Sequence, residues 1–103
     1  MLAYHDRQLD ALGDATRRAI LVRLAAGPLP VGELSTHFPM SRPAISQHLR
    51  ILKDARLVTQ TVVGTRRLYA IDAEGFDELR RYFDQFWASA LSSLKSRVER
   101  NKR

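Results

Sequence analysis

Apolar side chains recur at helical spacing through the first half of the chain and divide it into four helical segments. Leu9 and Leu12 predict a short first helix, and Asp14 is of a residue type that caps the next one. The second helix is predicted to end at Gly27-Pro28, because these residues continue a helix poorly. Its apolar positions are Ala15, Ile20, Leu21, Leu24 and Ala25.

The third and fourth segments predict a helix-turn-helix over about residues 31–54. An apolar stripe that reaches Phe38 predicts a short third helix. Ser41 then offers a capping hydroxyl, and Pro43 lies in the first turn of the fourth helix, where its missing amide is harmless. Because about three residues separate the two helices, they must cross sharply. The apolar stripe of the fourth helix comprises Ile45, Leu49 and Leu52.

The pattern becomes β-like after the fourth helix and predicts a hairpin, the wing, over about residues 57–72. Two segments rich in β-branched and aromatic residues, 58–63 and 68–71, flank a tip that contains Gly64. A hairpin after three helices is typical of a winged helix. The elements together predict a mainly α (α+β) winged helix-turn-helix with a two-stranded wing, in one domain of residues 1–103.

A long final helix is predicted over about residues 73–98, with Asp72 as its cap. We expect the basic tail from Lys95 to Arg103 to fray at its end. Apolar residues recur along this helix at three- and four-residue steps: Leu79, Tyr82, Phe83, Phe86, Trp87, Ala90, Leu91, Leu94 and Val98.

Net charge and composition limit the classes of function and the partners that this chain is expected to have. Seventeen Lys and Arg against eleven Asp and Glu give a net charge of +6, which favours polyanionic partners such as duplex DNA. The chain has no cysteine, so disulfides and thiolate metal sites are excluded. No apolar run approaches the ~20 residues that span a bilayer. We therefore predict a cytoplasmic protein without a membrane partner.

The outward face of the fourth helix has the residue types that recognise DNA. Arginine pairs with guanine, glutamine pairs with adenine, and serine contacts bases or phosphates. Two wing arginines are suited to phosphate or minor-groove contacts. The predicted DNA-binding residues are Ser41, Arg42, Pro43, Ser46, Gln47, His48, Arg50, Arg66 and Arg67.

Each of these features also has a plainer interpretation. A polar helix face can simply be solvated, and charges at a hairpin tip often serve solubility. His48 lies beside the apolar stripe, where it either contacts a phosphate or holds local backbone. It is the combination of turn, polar helix and wing that favours the DNA interpretation.

The aromatic stripe of the final helix is wider than one small domain needs, which is typical of a partner interface. Part of it must also cover the chain's own core. A symmetric partner places two DNA-reading helices roughly 34 Å apart, which suits an inverted repeat. Phe83, Phe86 and Trp87 can alternatively line a cavity for an apolar ligand, although packing against the partner is favoured.

Four ordered motifs resemble the ArsR/SmtB family of repressors, over about residues 6–98. The segment Ala11-Leu12-Gly13-Asp14-Ala15-Thr16-Arg17-Arg18-Ala19-Ile20-Leu21 is similar to their L-x-D-x-T-R-x-x-I-L opening. Val31-Gly32-Glu33-Leu34 resembles their V-x-E-L helix, and the segment from Ser41 to Lys53 resembles their S-x-x-x-[VI]-S-x-H-L-x-x-L-K helix. Gly64-Thr65-Arg66-Arg67-Leu68-Tyr69 resembles their wing, and Phe86-Trp87 and Ala90-Leu91 look most like the metal-independent branch.

The resemblance implies a homodimer that occupies promoters through the fourth helix and wing. Family members are generally released by an effector, and for this chain the sequence leaves open whether such a small molecule exists, because a simple autorepressor needs none. It also implies that the N- and C-terminal helices dimerise. The predicted interface comprises Leu9, Leu12, Tyr82, Phe83, Phe86, Trp87, Ala90, Leu91 and Leu94.

The chain departs from the family pattern in two respects. Metal-sensing members carry a Cys-x-Cys pair in the helix before the one that corresponds to the fourth helix here, or Asp and His pairs in the last helix. This chain has neither. His5 and His37 lack partners at ligand spacing, so we predict no metal and no cofactor. Arg56 stands where many relatives have glycine, and a positive φ there would cost about 1 kcal/mol.

The sequence therefore predicts a sequence-specific regulator that binds double-stranded DNA, most simply a homodimeric repressor. An enzyme is not predicted, since no nucleophile with a base and no phosphate-binding glycine loop is present. The alternative is a winged-helix adapter that binds proteins and not DNA.

Overall fold

The computed structural model describes residues 4–102, so the outermost residues of the predicted domain, 1–3 and 103, lie outside the described part of the chain. It is a mainly helical winged helix-turn-helix, which confirms the predicted fold class. The elements in chain order are α1 (Tyr4–Leu12), α2 (Ala15–Leu24), β1 (Leu29–Pro30), α3 (Val31–Ser35), α4 (Arg42–Asp54), β2 (Val58–Val63), β3 (Arg66–Ile71) and α5 (Ala73–Asn101).

Three helices begin at side-chain caps, as the sequence predicts. In each cap, a side-chain oxygen accepts a hydrogen bond from the amide three residues further on. The bond from the Arg17 amide, followed by the nearby Arg17 and His48 charges, holds the pKa of Asp14 below its ordinary value of 3.8. The bonds are Arg17 N to Asp14 Oδ1 (3.0 Å), Ala44 N to Ser41 Oγ (3.3 Å) and Gly75 N to Asp72 Oδ1 (3.0 Å).

The connection between α3 and α4 is longer than predicted. α3 ends at Ser35, not near Phe38, and α4 begins at Arg42. The amides of residues 36–38 bond to carbonyls three residues back, which tightens the chain into turns beyond the last regular residue. Phe38 still packs against the core from this turn, so its apolar spacing resembled that of a longer helix.

The wing belongs to a three-stranded antiparallel sheet with the order β1-β3-β2, so the predicted two-stranded hairpin was incomplete. β1 has only two residues, and Leu29 and Pro30 lie opposite Tyr69 and Leu68 of β3. Because the strand is so short and contains proline, it carried no strand signal. Gly64 has a φ of +64° in the two-residue turn between β2 and β3, where hairpins favour a positive φ.

The core is built around the apolar stripe of α4. Ile45, Leu49 and Leu52 are fully buried, and residues from α2, α3 and the segment after α4 enclose them. Burial of such side chains contributes about 1.5–3 kcal/mol each, so the stripe fixes the rotation of α4 about its axis. The enclosing buried residues are Ile20, Leu21, Leu24, Leu34, Ala55, Leu57 and Val58.

Most of α5 projects away from this core. The helix has 29 residues and continues to Asn101, beyond the predicted end near residue 98. Leu79 is its last buried residue, and every described residue after Tyr82 is exposed. The helix is about 44 Å long at 1.5 Å per residue, and the molecule accordingly measures 67 × 29 × 26 Å. Within residues 4–102, more than half of α5 therefore lies outside the packed core.

The base of α5 is fixed where three segments meet. The buried side chain of Gln8 in α1 donates from Nε2 to the carbonyl of Gly75 at 3.0 Å. Arg56, just after α4, has a φ of +60°, so the condition for backbone strain at this position is met, and it bonds to Glu78 of α5 at 3.2 Å. A Cβ added at Gly75 would lie 1.7 Å from the Arg56 carbonyl oxygen, so only glycine allows this approach.

We expect Gly75→Ala to lower the free energy of unfolding by about 1–3 kcal/mol, because the methyl group meets rigid backbone and α5 must shift. Urea unfolding followed by circular dichroism measures this change. Gly32→Ala is the control, since a Cβ there meets only the end of the Arg42 side chain at 3.7 Å. Equal stability of the two variants would mean that α5 is not held tightly at Gly75.

Candidate nucleic-acid interface

One face of α4 is exposed along its whole length, opposite the buried stripe. The residue that caps α4 and the first two residues of the helix are exposed, and so are polar residues in the following two turns. These side chains offer guanidinium, amide and hydroxyl donors, which are the groups that contact base edges and phosphates. The exposed members of the predicted set are Ser41, Arg42, Pro43, Ser46, Gln47 and Arg50.

His48 is placed differently from the rest of the predicted set. It is half-buried, and its Nδ1 lies 3.5 Å from a guanidinium nitrogen of Arg17 in α2. The Arg17 Nε donates to the carbonyl of Ala11 at 2.8 Å, which ties this guanidinium to the end of α1. The structure thus gives His48 a local partner, and its predicted contact with DNA stays a prediction.

Arg42 and the wing arginines border one cleft of about 510 Å³ between α3, the start of α4 and the wing tip. The guanidinium of Arg42 lies over Gly32, 3.7 Å from the position a Cβ would take there. Three arginines and one glutamate line this opening, so it has an excess of positive charge. The lining residues are Pro30, Val31, Gly32, Glu33, Arg42, Thr65, Arg66 and Arg67.

The two wing arginines have different surroundings. Arg67 is exposed at the start of β3. Arg66 donates from a terminal guanidinium nitrogen to Oε1 of Glu33 in α3 at 3.0 Å. Both side chains of this pair are 59% exposed, so solvent and salt screen the attraction.

Two residues of this region are not among those predicted from the sequence to contact DNA. Glu33 and Arg17 both lie within the motifs that resemble the family, but neither residue is an obvious reader of DNA. Glu33 contacts Arg66, which is 33 positions further along the chain, and Arg17 contacts His48, which is 31 positions further along. No periodicity or spacing signal reports a contact over that separation.

The predicted dimer residues fall into two groups. Leu9, Leu12 and Tyr82 are partly buried against their own core, and Tyr82 stacks on His5 with ring centroids 4.4 Å apart. This group therefore serves the chain's own packing at least in part. The second group is exposed on the projecting part of α5: Phe83, Phe86, Trp87, Ala90, Leu91 and Leu94.

The exposed group forms a continuous apolar stripe. Phe86 and Trp87 are each 53% exposed, and their rings meet edge to face with centroids 6.0 Å apart. Phe83 makes a similar contact with Phe86 at 6.5 Å. A large exposed apolar surface of this kind is typical of an interaction site.

Within residues 4–102, no three His, Cys, Asp or Glu side chains gather where they could hold a metal ion. His37 contacts Arg23 through its Nδ1. None of the helices in the described part of the chain combines the length and the hydropathy needed to span a membrane.

Residues 14–60 match the model of a family described as bacterial regulatory protein, arsR family. The chain is 52% identical over 94 residues to the HTH-type transcriptional regulator Rv2034 of Mycobacterium tuberculosis, which covers 91% of this chain and 88% of that protein. It is 39% identical over 62 residues to the transcriptional repressor SdpR of Bacillus subtilis, covering 60% of this chain and 69% of that protein.

The fold is also similar to a solved structure, that of the homodimeric winged helix-turn-helix DNA-binding domain of Mb0332 from Mycobacterium bovis. The two superpose with a TM-score of 0.67 at 31% sequence identity, over 84% of this chain and 78% of that one.

Proposed function

The chain belongs to the arsR family of bacterial regulatory proteins, and from this premise we propose that it is a homodimeric transcriptional repressor that binds an inverted-repeat operator. In this proposal, α4 enters the major groove of duplex DNA and the wing contacts the adjacent backbone. The family comprises regulators of transcription, not enzymes. Release of DNA by a small-molecule effector remains a prediction of the family resemblance.

One observation carries the proposal, namely the division of α4 into a buried face and an exposed reading face. Complete burial of Ile45, Leu49 and Leu52 prevents the helix from rotating, so the opposite face is held towards solvent. The arginine-bearing wing tip lies across a cleft from the start of the same helix. A groove-entering helix beside a cationic hairpin is the arrangement that reads duplex DNA.

The projecting part of α5 supports the homodimer. An apolar stripe that residues 4–102 of the same chain leave exposed is suited to the same stripe of a second copy, as in an isologous interface. Two copies joined in this way present two α4 helices, and a spacing of roughly 34 Å between them matches one turn of DNA. We assign Leu9, Leu12 and Tyr82 to the edge of this interface, where they share their burial with the core.

Selection of bound sequences from random duplex DNA tests the function directly. We expect the purified protein to enrich an inverted repeat with half-sites about one helical turn apart. Absence of any enriched sequence, with no duplex binding at low salt, would contradict the proposal and favour the protein-interaction adapter. The relatives described above offer that alternative no support.

We expect Arg42→Ala to weaken binding to the selected operator by about 1–3 kcal/mol while leaving the dimer intact, because one guanidinium contact with DNA is lost. Fluorescence anisotropy with labelled operator measures the loss. Arg81→Ala, which removes an exposed arginine from α5, serves as the control. An unchanged preference for the operator over a scrambled duplex would remove Arg42 from sequence readout.

Arg67→Ala is expected to weaken binding to all duplexes and to flatten the dependence of log K on log salt by about 0.9, because one phosphate contact disappears. Titrations at several salt concentrations on operator and random DNA measure both effects. Wild-type affinity at every salt concentration would show that the wing does not contact DNA through Arg67.

We expect Trp87→Glu to produce monomers that bind DNA poorly, since the change buries an unpaired charge in an apolar interface. Sedimentation or light scattering gives the oligomeric state. Gln85→Glu introduces the same side chain on the opposite side of α5, two residues or about 200° around the helix, and should leave the dimer unchanged. A dimeric and fully active Trp87→Glu variant would place the interface elsewhere.

A further inference from the structure

The contact between Glu33 and Arg66 joins α3 to the wing across the mouth of the cleft. Glu33 lies in the first turn of α3, and Arg66 is the first residue of β3. Their side chains meet at 3.0 Å although the residues are 33 positions apart. The carboxylate is therefore hydrogen-bonded to a guanidinium that, in the proposed function, contacts DNA.

A carboxylate and a phosphate compete for the same donors, because both accept paired hydrogen bonds from guanidinium groups. Arg42 and Arg67 line the same cleft, and neither is hydrogen-bonded to Glu33 in the described contacts. Of the three arginines at this opening, Arg66 is thus the one already engaged by an acidic side chain. An incoming phosphate must displace that side chain to reach it.

We propose that Glu33 is an intramolecular competitor that engages Arg66 in the free protein and thereby lowers the affinity of the wing for DNA of any sequence. The inference rests on the proposed function, because it assigns a role within the same DNA-binding surface. The exposure of both partners keeps the contact weak enough for phosphate to replace it. Glu33 is accordingly a positioning residue that acts through Arg66.

Substitutions of Glu33 separate competition at Arg66 from a general effect of charge. Glu33→Gln removes the charge, whereas Glu33→Asp keeps it but withdraws the carboxylate by one methylene. We expect both variants to bind random-sequence duplex more tightly at low salt, Glu33→Gln by about two- to fivefold. Glu74→Gln removes one charge from an exposed position on α5 and should leave the affinity nearly unchanged.

The Arg66→Ala background supplies the decisive comparison. If Glu33 acts by competing for Arg66, Glu33→Gln gains less affinity in this background than in the wild type. An equal or larger gain there, or weaker binding by Glu33→Gln in the wild type, would overturn the inference. Thermal unfolding of each variant checks that the fold is retained.

The same experiment distinguishes failure of the inference from failure of the proposed function. Wild-type protein that binds no duplex at low salt refutes both. Wild-type protein that binds well, with Glu33→Asp and Glu33→Gln no tighter, refutes only the role of Glu33.

Discussion

The structure depends on the burial of one side of α4. Ile45, Leu49 and Leu52 lie wholly within the core, and buried residues of α2, α3 and the segment after α4 enclose them. Because an apolar stripe at i, i+4 and i+7 occupies one side of a helix, its burial decides which residues face solvent. The exposed polar face and the position of α4 beside the wing are therefore consequences of hydrophobic packing. The core positions the predicted DNA-binding side chains of α4, although none of those side chains is part of the buried stripe.

The second constraint is the anchoring of α5. Its base is held by the Gln8 bond and by the close approach of Gly75 to the Arg56 carbonyl, whereas every described residue after Tyr82 is exposed. The first turns of α5 are fixed to the core, and its later turns carry the apolar stripe. The orientation of the stripe is therefore set by the core. Any partner that covers the stripe is thereby placed at a defined angle to α4, which is what spacing two reading helices on DNA requires.

The charges at the cleft both attract DNA and limit how strongly it is attracted. The excess of arginine suits a polyanion, and the salt dependence of such contacts is large. Glu33 moderates this attraction locally, since its carboxylate lies against one guanidinium and leaves the neighbouring ones to solvent. A weak, exposed ion pair has little effect on the stability of the fold, yet it can influence a binding surface where each phosphate contact matters.

The sequence by itself determined the order of the main elements, the three caps and the inward face of α4. These features depend on local chemistry, on residue type and on a period of 3.6 or two, all of which are visible in a short window. Tertiary structure alone decided the addition of β1 to the sheet, the early end of α3, and the meeting of Gln8, Gly75 and Arg56. It also divided the predicted dimer residues between core and surface and paired Glu33 with Arg66. Apart from the end of α3, these outcomes join residues far apart in the chain, and only the packed core brings them within reach of one another.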